Sequence, residues 1–215
     1  MTNQVEIALY ANLVLDVYES QEVFRTLLDA LSQPGTIHQL PQTVAQRCVP
    51  ALAPLAALVS HDVPFAICGG ESVATSTAVE RATFGRSVNP ELAVFIAALS
   101  GHVPDAGSIR RGSAHRPDGG CQISYQISGR LVLGTTGEST FSIAGPGVPT
   151  VRNISVEWAT DQLSSLQQLL DARSDSWPMG FDIWLVDDFG QVVGIPRTSN
   201  ITGVMAQHDE KVLED

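Results

Sequence analysis

The sequence predicts an α/β fold of packed layers, and three observations carry that prediction. Segments of helical periodicity alternate along the chain with short apolar strands, the pattern of α/β proteins. With 44% hydrophobic and 16% charged residues over 215 positions, the chain can build one sizeable core, and one α/β domain is expected. Near the end, residues 181–186 and 191–195 flank Asp187-Asp188-Phe189-Gly190 and read as a hairpin. In its first strand Asp182, Trp184 and Val186 share one face, and Phe181, Ile183 and Leu185 the other. A strand so apolar on both faces belongs at the centre of a sandwich of layers.

The elements follow in order. Residues 1–19 read as an N-terminal extension. Their apolar run at 7–10 has no basic flank and is bracketed by Glu6 and Asp16, which suits neither a signal peptide nor a membrane span. Residues 20–32 form the clearest helix, because Phe24, Leu27, Leu28 and Leu31 fall at i, i+3, i+4 and i+7. Ser20 is the expected N-cap, Glu22 suits the positive end of the dipole, and Pro34-Gly35 stops the helix. Residues 37–40 suit a short strand. Residues 50–61, nearly all alanine and leucine, suit a buried helix with Pro54 in its first turn or at a kink. A strand at 65–68 closes at Gly69-Gly70, residues 71–82 are weakly helical, and 93–97 is a buried strand.

Residues 101–120 carry Gly, Ser, Pro and Asp without periodicity and read as mostly loop. Residues 121–127 then alternate strictly. With the turn Ser128-Gly129, residues 131–133 and residues 139–143, they predict an antiparallel meander with one solvated face, ended by Gly145-Pro146-Gly147. A helix is expected at 158–173, with Ala159, Leu163, Leu166 and Leu170 on one side. Trp177-Pro178-Met179-Gly180 returns the chain to the sheet. No repeat or low-complexity linker divides it, so residues 20–203 are read as a single domain and 204–215 as a loose acidic tail.

Composition and missing motifs exclude most function classes. A net charge of −11 repels phosphate backbones and anionic membranes, so neither is an expected partner. The chain lacks G-x-x-x-x-G-K and G-x-S-x-G, and Gly145-Pro146-Gly147 is not a dinucleotide fingerprint because Pro149 opposes helix entry. Histidines 38, 61, 102, 115 and 208 show no metal-ligand spacing, so no metal is expected. Pyridoxal phosphate needs a lysine for its Schiff base, and the only lysine, Lys211, sits in the tail, so no cofactor is expected. Cys48, Cys68 and Cys121 are widely spaced and odd in number, which suits free thiols in a reducing cytoplasm. Trp158, Trp177 and Trp184 read as packing residues.

One loop concentrates positive charge. Arg110, Arg111 and Arg116, with His115, lie on a glycine-rich segment, and guanidinium forks suit carboxylate or phosphate. The loop is either a solvated offset to an acidic surface or a contact for an anionic ligand or acidic partner. Arg197 is aimed by Pro196. It either pairs with Asp182 or Asp29 or presents a phosphate or subunit contact. Asp182, among apolar neighbours, calls for a partner. No catalytic residue is identified.

Several of these segments, in this order and spacing, resemble the PhnH family, a component of the bacterial carbon–phosphorus lyase system. The resemblance runs from about Gln21 to Ile201. It is carried by Phe24-Arg25 through Ser32-x-Pro34-Gly35, Gly145-Pro146-Gly147, Pro178-Met179-Gly180-Phe181-Asp182 and Ile195-Pro196-Arg197-Thr198. Gly112-Ser113-Ala114 with Pro117-x-x-Gly120 is a weaker anchor, and Met179 and Phe181 depart conservatively from the family's usual aliphatic residues. The resemblance implies an open three-layer α/β sandwich with a mixed sheet, similar to the large domain of pyridoxal-phosphate-dependent transferases but without that cofactor. It also implies a homodimer that joins subunits G, I and J in a core complex. That complex transfers a phosphonate to the ribose of a purine nucleoside triphosphate and displaces the base.

Two functions are then open. One is a non-catalytic or co-catalytic subunit of that complex, working through its surface. The other is a free-standing small α/β enzyme acting on a phosphorylated or phosphonylated metabolite, with the arginine loop and Arg197 as its anion site.

Overall fold

The computed structural model describes residues 2–137, 139–157, 162–174 and 178–206. The chain opens with α1 (Thr2–Leu13) and α2 (Val17–Ser32), then β1 (His38–Gln39), α3 (Gln42–Arg47), a 3-10 turn (Pro50–Leu52) and α4 (Ala53–Leu58). Next come β2 (Pro64–Cys68), α5 (Ser72–Thr83), β3 (Arg86–Ser87), a second 3-10 turn (Pro90–Leu92) and β4 (Phe95–Ala98). Six strands follow: β5 (Arg111–Ser113), β6 (Arg116–Gly120), β7 (Gln122–Ile127), β8 (Leu131–Leu133), β9 (Ser139–Ala144) and β10 (Arg152–Val156). Helix α6 (Gln162–Ser174), β11 (Asp182–Asp187), β12 (Gln191–Ile195) and β13 (Asn200–Ala206) complete it.

The main sheet has seven strands in the order β1-β12-β11-β7-β4-β2-β3. From β11 to β3 all neighbours run parallel, while β12 is antiparallel to β11 and to β1. Ile183 lies opposite Ile123 on one side and Ile195 on the other. One face of this sheet, through Trp184, Val186 and Val192, packs on Val23, Leu27 and Ala30 of α2, Leu55 of α4 and Val79 of α5. The other face, through Ile123, Tyr125, Ile183, Leu185 and Val193, meets a four-stranded sheet, β13-β9-β10-β8, and Leu166, Leu169 and Leu170 of α6. This is the expected three-layer α/β sandwich with a mixed sheet, and its third layer is mostly strand. β11 is covered on both faces, as its sequence requires.

Two close contacts hold the layers in register. Gly194 lets the backbone of α2 sit directly on β12, because a Cβ there would lie 2.3 Å from Ala30 O. Buried Trp184 donates from Nε1 to Leu27 O at 3.1 Å, which satisfies its polar atom inside the same contact.

The structure corrects three expectations. Helix α2 begins at Val17, and its cap is Asp16, not Ser20. Asp16 Oδ1 accepts from Glu19 N at 2.8 Å while Glu19 Oε2 accepts from Asp16 N, a capping box. The buried stripe of α2 is Val23, Leu27 and Ala30, one position off the expected one, and Phe24 and Leu28 are 48% and 54% exposed. Residues 101–120 are mostly loop, as expected, and β5 and β6 pair within them as a hairpin. The meander is not one: β7 pairs parallel with β4 and β11, while β8 and β9 each flank β10 in the second sheet. Strict alternation reports two unlike faces, and both a parallel strand between layers and an antiparallel edge can supply them.

Helix α1 falls within residues 1–19 and buries Leu13 beside the α2 face. Strands β10 and β13 have no counterpart among the expected elements, and β13 continues past Gly203 to Ala206. Trp158, Trp177, His208 and Lys211 lie outside the described residues.

Candidate functional site

The arginine hairpin and Arg197 meet. The hairpin is seated by its backbone: Cys121 N donates to Arg110 O at 2.8 Å and Gly180 N donates to Arg111 O at 2.9 Å. Gly120 makes that seat possible, since a Cβ there would lie 2.0 Å from Gly180 O. Arg197 Nη1 donates to Pro117 O in the same hairpin. Of the four predicted arginines, Arg110 and Arg116 are exposed and Arg111 is half-buried, its Nη2 donating to Ala106 O at 3.1 Å. Arg116 pairs with Asp118 at 3.2 Å, both side chains more than two-thirds exposed, so the pair adds little stability.

Arg197 takes the partner that the buried position of Asp182 demands. Its Nη2 lies 2.6 Å from Asp182 Oδ2, its Nε 3.2 Å from Oδ1, and its backbone N 2.8 Å from Oδ1. Both side chains are 15% exposed, so this is a fork-to-carboxylate bridge shielded from water. The alternative partner, Asp29, is not used by Arg197 in any of these bonds.

Segments far apart in the chain converge here. A Cβ on Gly145 would lie 3.0 Å from Thr198 O, and one on Gly147 would lie 3.1 Å from Pro34 Cδ. Gly180 lies against the Arg197 and Arg173 side chains. Thus the Pro34-Gly35 stop of α2, the Gly145-Pro146-Gly147 turn, the approach to β11 and the Ile195–Thr198 segment form one neighbourhood. A cavity of about 440 Å³ opens there between the end of α6 and residues 197–202.

Two residues of that cavity escaped sequence reasoning. Arg173 is 5% exposed and donates from Nη1 to Ile195 O and Pro196 O at 3.1 and 2.9 Å, and from Nη2 to Ser199 O at 2.8 Å. Burial lowers its pKa to about 10, which leaves it charged near neutrality. Ser199 is also 5% exposed, and among the described residues its buried hydroxyl has no hydrogen-bond partner. A signal for Arg173 was present: with Leu166, Leu169 and Leu170 it completes an i, i+3, i+4, i+7 face. An arginine on an apolar stripe has to find buried acceptors.

The remaining chemistry is quiet. Burial pushes the Cys48 thiol up to about 11 and the Cys121 thiol up to about 12, and raises Cys68 as well, so all three are poor nucleophiles. Among the described residues no group of three or more His, Cys, Asp or Glu is placed to hold a metal ion, and no helix is long and apolar enough to cross a membrane.

A family profile described as bacterial phosphonate metabolism protein (PhnH) matches residues 12–202. No curated protein matches the chain. The profile spans most of the sequence, and the chain belongs to the PhnH family, which places its role in bacterial phosphonate metabolism.

Proposed function

We propose that the chain is a non-catalytic or co-catalytic subunit of the carbon–phosphorus lyase core complex, supporting transfer of a phosphonate to the ribose of a purine nucleoside triphosphate. The observation that carries this reading is the outward face of α2. Val17, Gln21, Phe24 and Leu28 fall at i, i+4, i+7 and i+11, one stripe along the helix. Val17 is 82% exposed, Phe24 48% and Leu28 54%, with Tyr18 beside them at 78%. Apolar side chains aligned along one helix and left open to water mark a protein-binding surface.

Exposed Glu22, Arg25 and Asp29 on the same helix give a polar rim around an apolar strip. In the isolated protein a second copy covers this face, giving a homodimer. In the assembly, subunits G, I and J are the partners, and the exposed Arg110 and Arg116 are suited to acidic patches on them.

The test is co-expression of the tagged chain with subunits G, I and J, followed by mass measurement of the eluate. The expected result is a stoichiometric complex. The isolated chain is expected at twice its 22.9 kDa mass. Phe24→Ser with Leu28→Ser is expected to yield a folded monomer, its melting temperature lowered only by the stability that dimerisation supplied, because neither side chain is in the core. Failure to recover any of the three subunits overturns the reading.

A further inference from the structure

The main sheet is incomplete along one edge. Strand β2 pairs with β4 from Phe65 to Cys68, but with β3 only at Pro64 and Phe65. On the β4 side Cys68 O takes Leu99 N at 2.8 Å, and on the β3 side Phe65 O takes Val88 N at 2.9 Å. The backbone groups of successive strand residues point to alternate edges, so Ile67 turns its N–H and C=O to the side that β3 has left. Among the described residues neither group has a hydrogen-bond partner there.

The gap is a walled cleft. It holds about 280 Å³ between Ile67 of β2, the Val73, Ser76 and Glu80 side of α5, and Ser87 at the end of β3. Val73 is 82% exposed on that wall. Glu80 Oε1 accepts from Ser87 N at 2.8 Å, which blunts β3 as an edge and leaves the place beside Ile67 open. The other Glu80 carboxylate oxygen has no partner among the described residues. Arg86 of β3 turns to the opposite face of the sheet, because Ser87 shares the face of its partner Phe65.

These features select the occupant. An N–H and a C=O offered by one strand residue match the amide groups of an extended chain, the geometry of strand addition. The cleft is smaller than most small-molecule sites, so it suits a short stretch of a longer chain. Glu80 at its wall, on a chain of net charge −11, favours a segment that carries lysine or arginine.

We propose that an extended, basic segment of another polypeptide adds to the edge of β2 at Ile67, with its basic side chain on Glu80 and an apolar one covering Val73. This surface shares no residue with the exposed strip of α2, and it does not depend on which assembly the chain joins.

The experiment follows amide resonances and hydrogen exchange of the full-length protein during titration with a capped hexapeptide of alternating valine and lysine. In the free protein the Ile67 amide is expected to exchange at least about tenfold faster than those of Ala66 and Cys68, which face β4. Binding is expected to be saturable, to shift the Ile67 resonance and to slow its exchange about tenfold. A peptide with glutamate in place of lysine is expected to bind about tenfold weaker, and one N-methylated along its pairing edge is expected not to bind. Glu80→Gln keeps an acceptor for Ser87 N and removes only the charge, so the fold is expected to hold while the lysine peptide binds about threefold weaker. Ser76→Tyr fills the cleft from the helix and is expected to abolish binding. If that variant fails to fold, the N-methylated peptide on the parent protein decides. No saturable shift at Ile67, or a methylated peptide that binds as well as its parent, overturns the site. Equal binding of the lysine and glutamate peptides overturns the basic partner. Protection of Ile67 in the free protein would mean that a second copy or the chain itself already fills the edge, and it overturns the proposal too.

Discussion

The carboxylate of Asp187 is fully buried at the carboxyl end of β11 and accepts three backbone N–H groups. Oδ2 takes Leu131 N at 2.9 Å, and Oδ1 takes Phe189 N at 2.9 Å and Gln191 N at 2.7 Å. Burial raises its pKa, and the three donors work against that rise. The residue therefore ties the hairpin turn of β11 and β12 to the start of β8, across the two sheets. In Asp187→Asn, Oδ1 can keep two of these bonds while the new amide NH₂ confronts the Leu131 N–H. The expected loss is about 2 kcal/mol of unfolding free energy, read by urea denaturation with an unchanged slope. A variant as stable as the parent would mean that the two sheets are joined elsewhere. Asp187 was legible in the sequence only as part of a turn. Its reach to Leu131 depends on a second sheet that no local pattern announces. Arg197 and Asp182 were legible as charges in need of partners, with Asp29 the alternative for Arg197, and the bridge between them was chosen by the fold.

At the scale of elements, the joint of α1, α2 and α3 rests on one ion pair. Glu19, already in the capping box of α2, lies 2.9 Å from both Nη atoms of Arg47 at the end of α3. Arg47 Nε and Nη2 then donate to Asn12 O and Val14 O, where the chain leaves α1. The Arg47 hydrogen bond holds the Glu19 carboxyl below its ordinary value of 4.5, against the cost of burial. The folded pKa is thus below the unfolded one, so the stability it contributes is present above pH 4.5 and is lost as the pH falls through the folded value. Glu19→Gln keeps the capping box but not the charge. It is expected to cost about 1 kcal/mol at pH 7 and progressively less as the pH falls below the ordinary value, read as the gap between two melting temperatures followed from pH 7 into acid. A gap that does not narrow with acid would assign the cost to packing instead. The strands and helices of the main sheet were legible because their apolar runs and turn residues are local signals. The face of α2 was not: Val23, Phe24, Leu27 and Leu28 permit two overlapping stripes, and only the placement of β12 against Ala30 selects one.

At the scale of the whole molecule, one sheet serves two cores. β2, β4, β11 and β12 send alternate side chains into each, so Ile183 and Trp184, adjacent in sequence, belong to different clusters. Neighbouring residues on a shared strand cannot be released into one cluster while the other stays packed. The fold class was legible because alternation of helix and strand is a property of the sequence. The second sheet was not, because β10 and β13 are bounded by turns rather than by strong apolar runs, and membership of that sheet is set by partners up to 67 positions away, as Ala206 is from Ser139. The site was half legible for the same reason: Arg197 announces itself locally, whereas Arg173 and Ser199 become neighbours only when α6 folds back on the strand that follows β12. A shared sheet makes unfolding of the two layers one event, and Cys121 reports it. That thiol is fully buried in the core facing the second sheet, and burial pushes its pKa up to about 12, so labelling requires exposure. Alkylation of Cys121 along a denaturant series is expected to follow the loss of far-ultraviolet dichroism, with one midpoint for both. Labelling complete at denaturant concentrations where the helical signal is intact would show that the strand layer opens by itself, and that the two cores are energetically separate despite the strands they share.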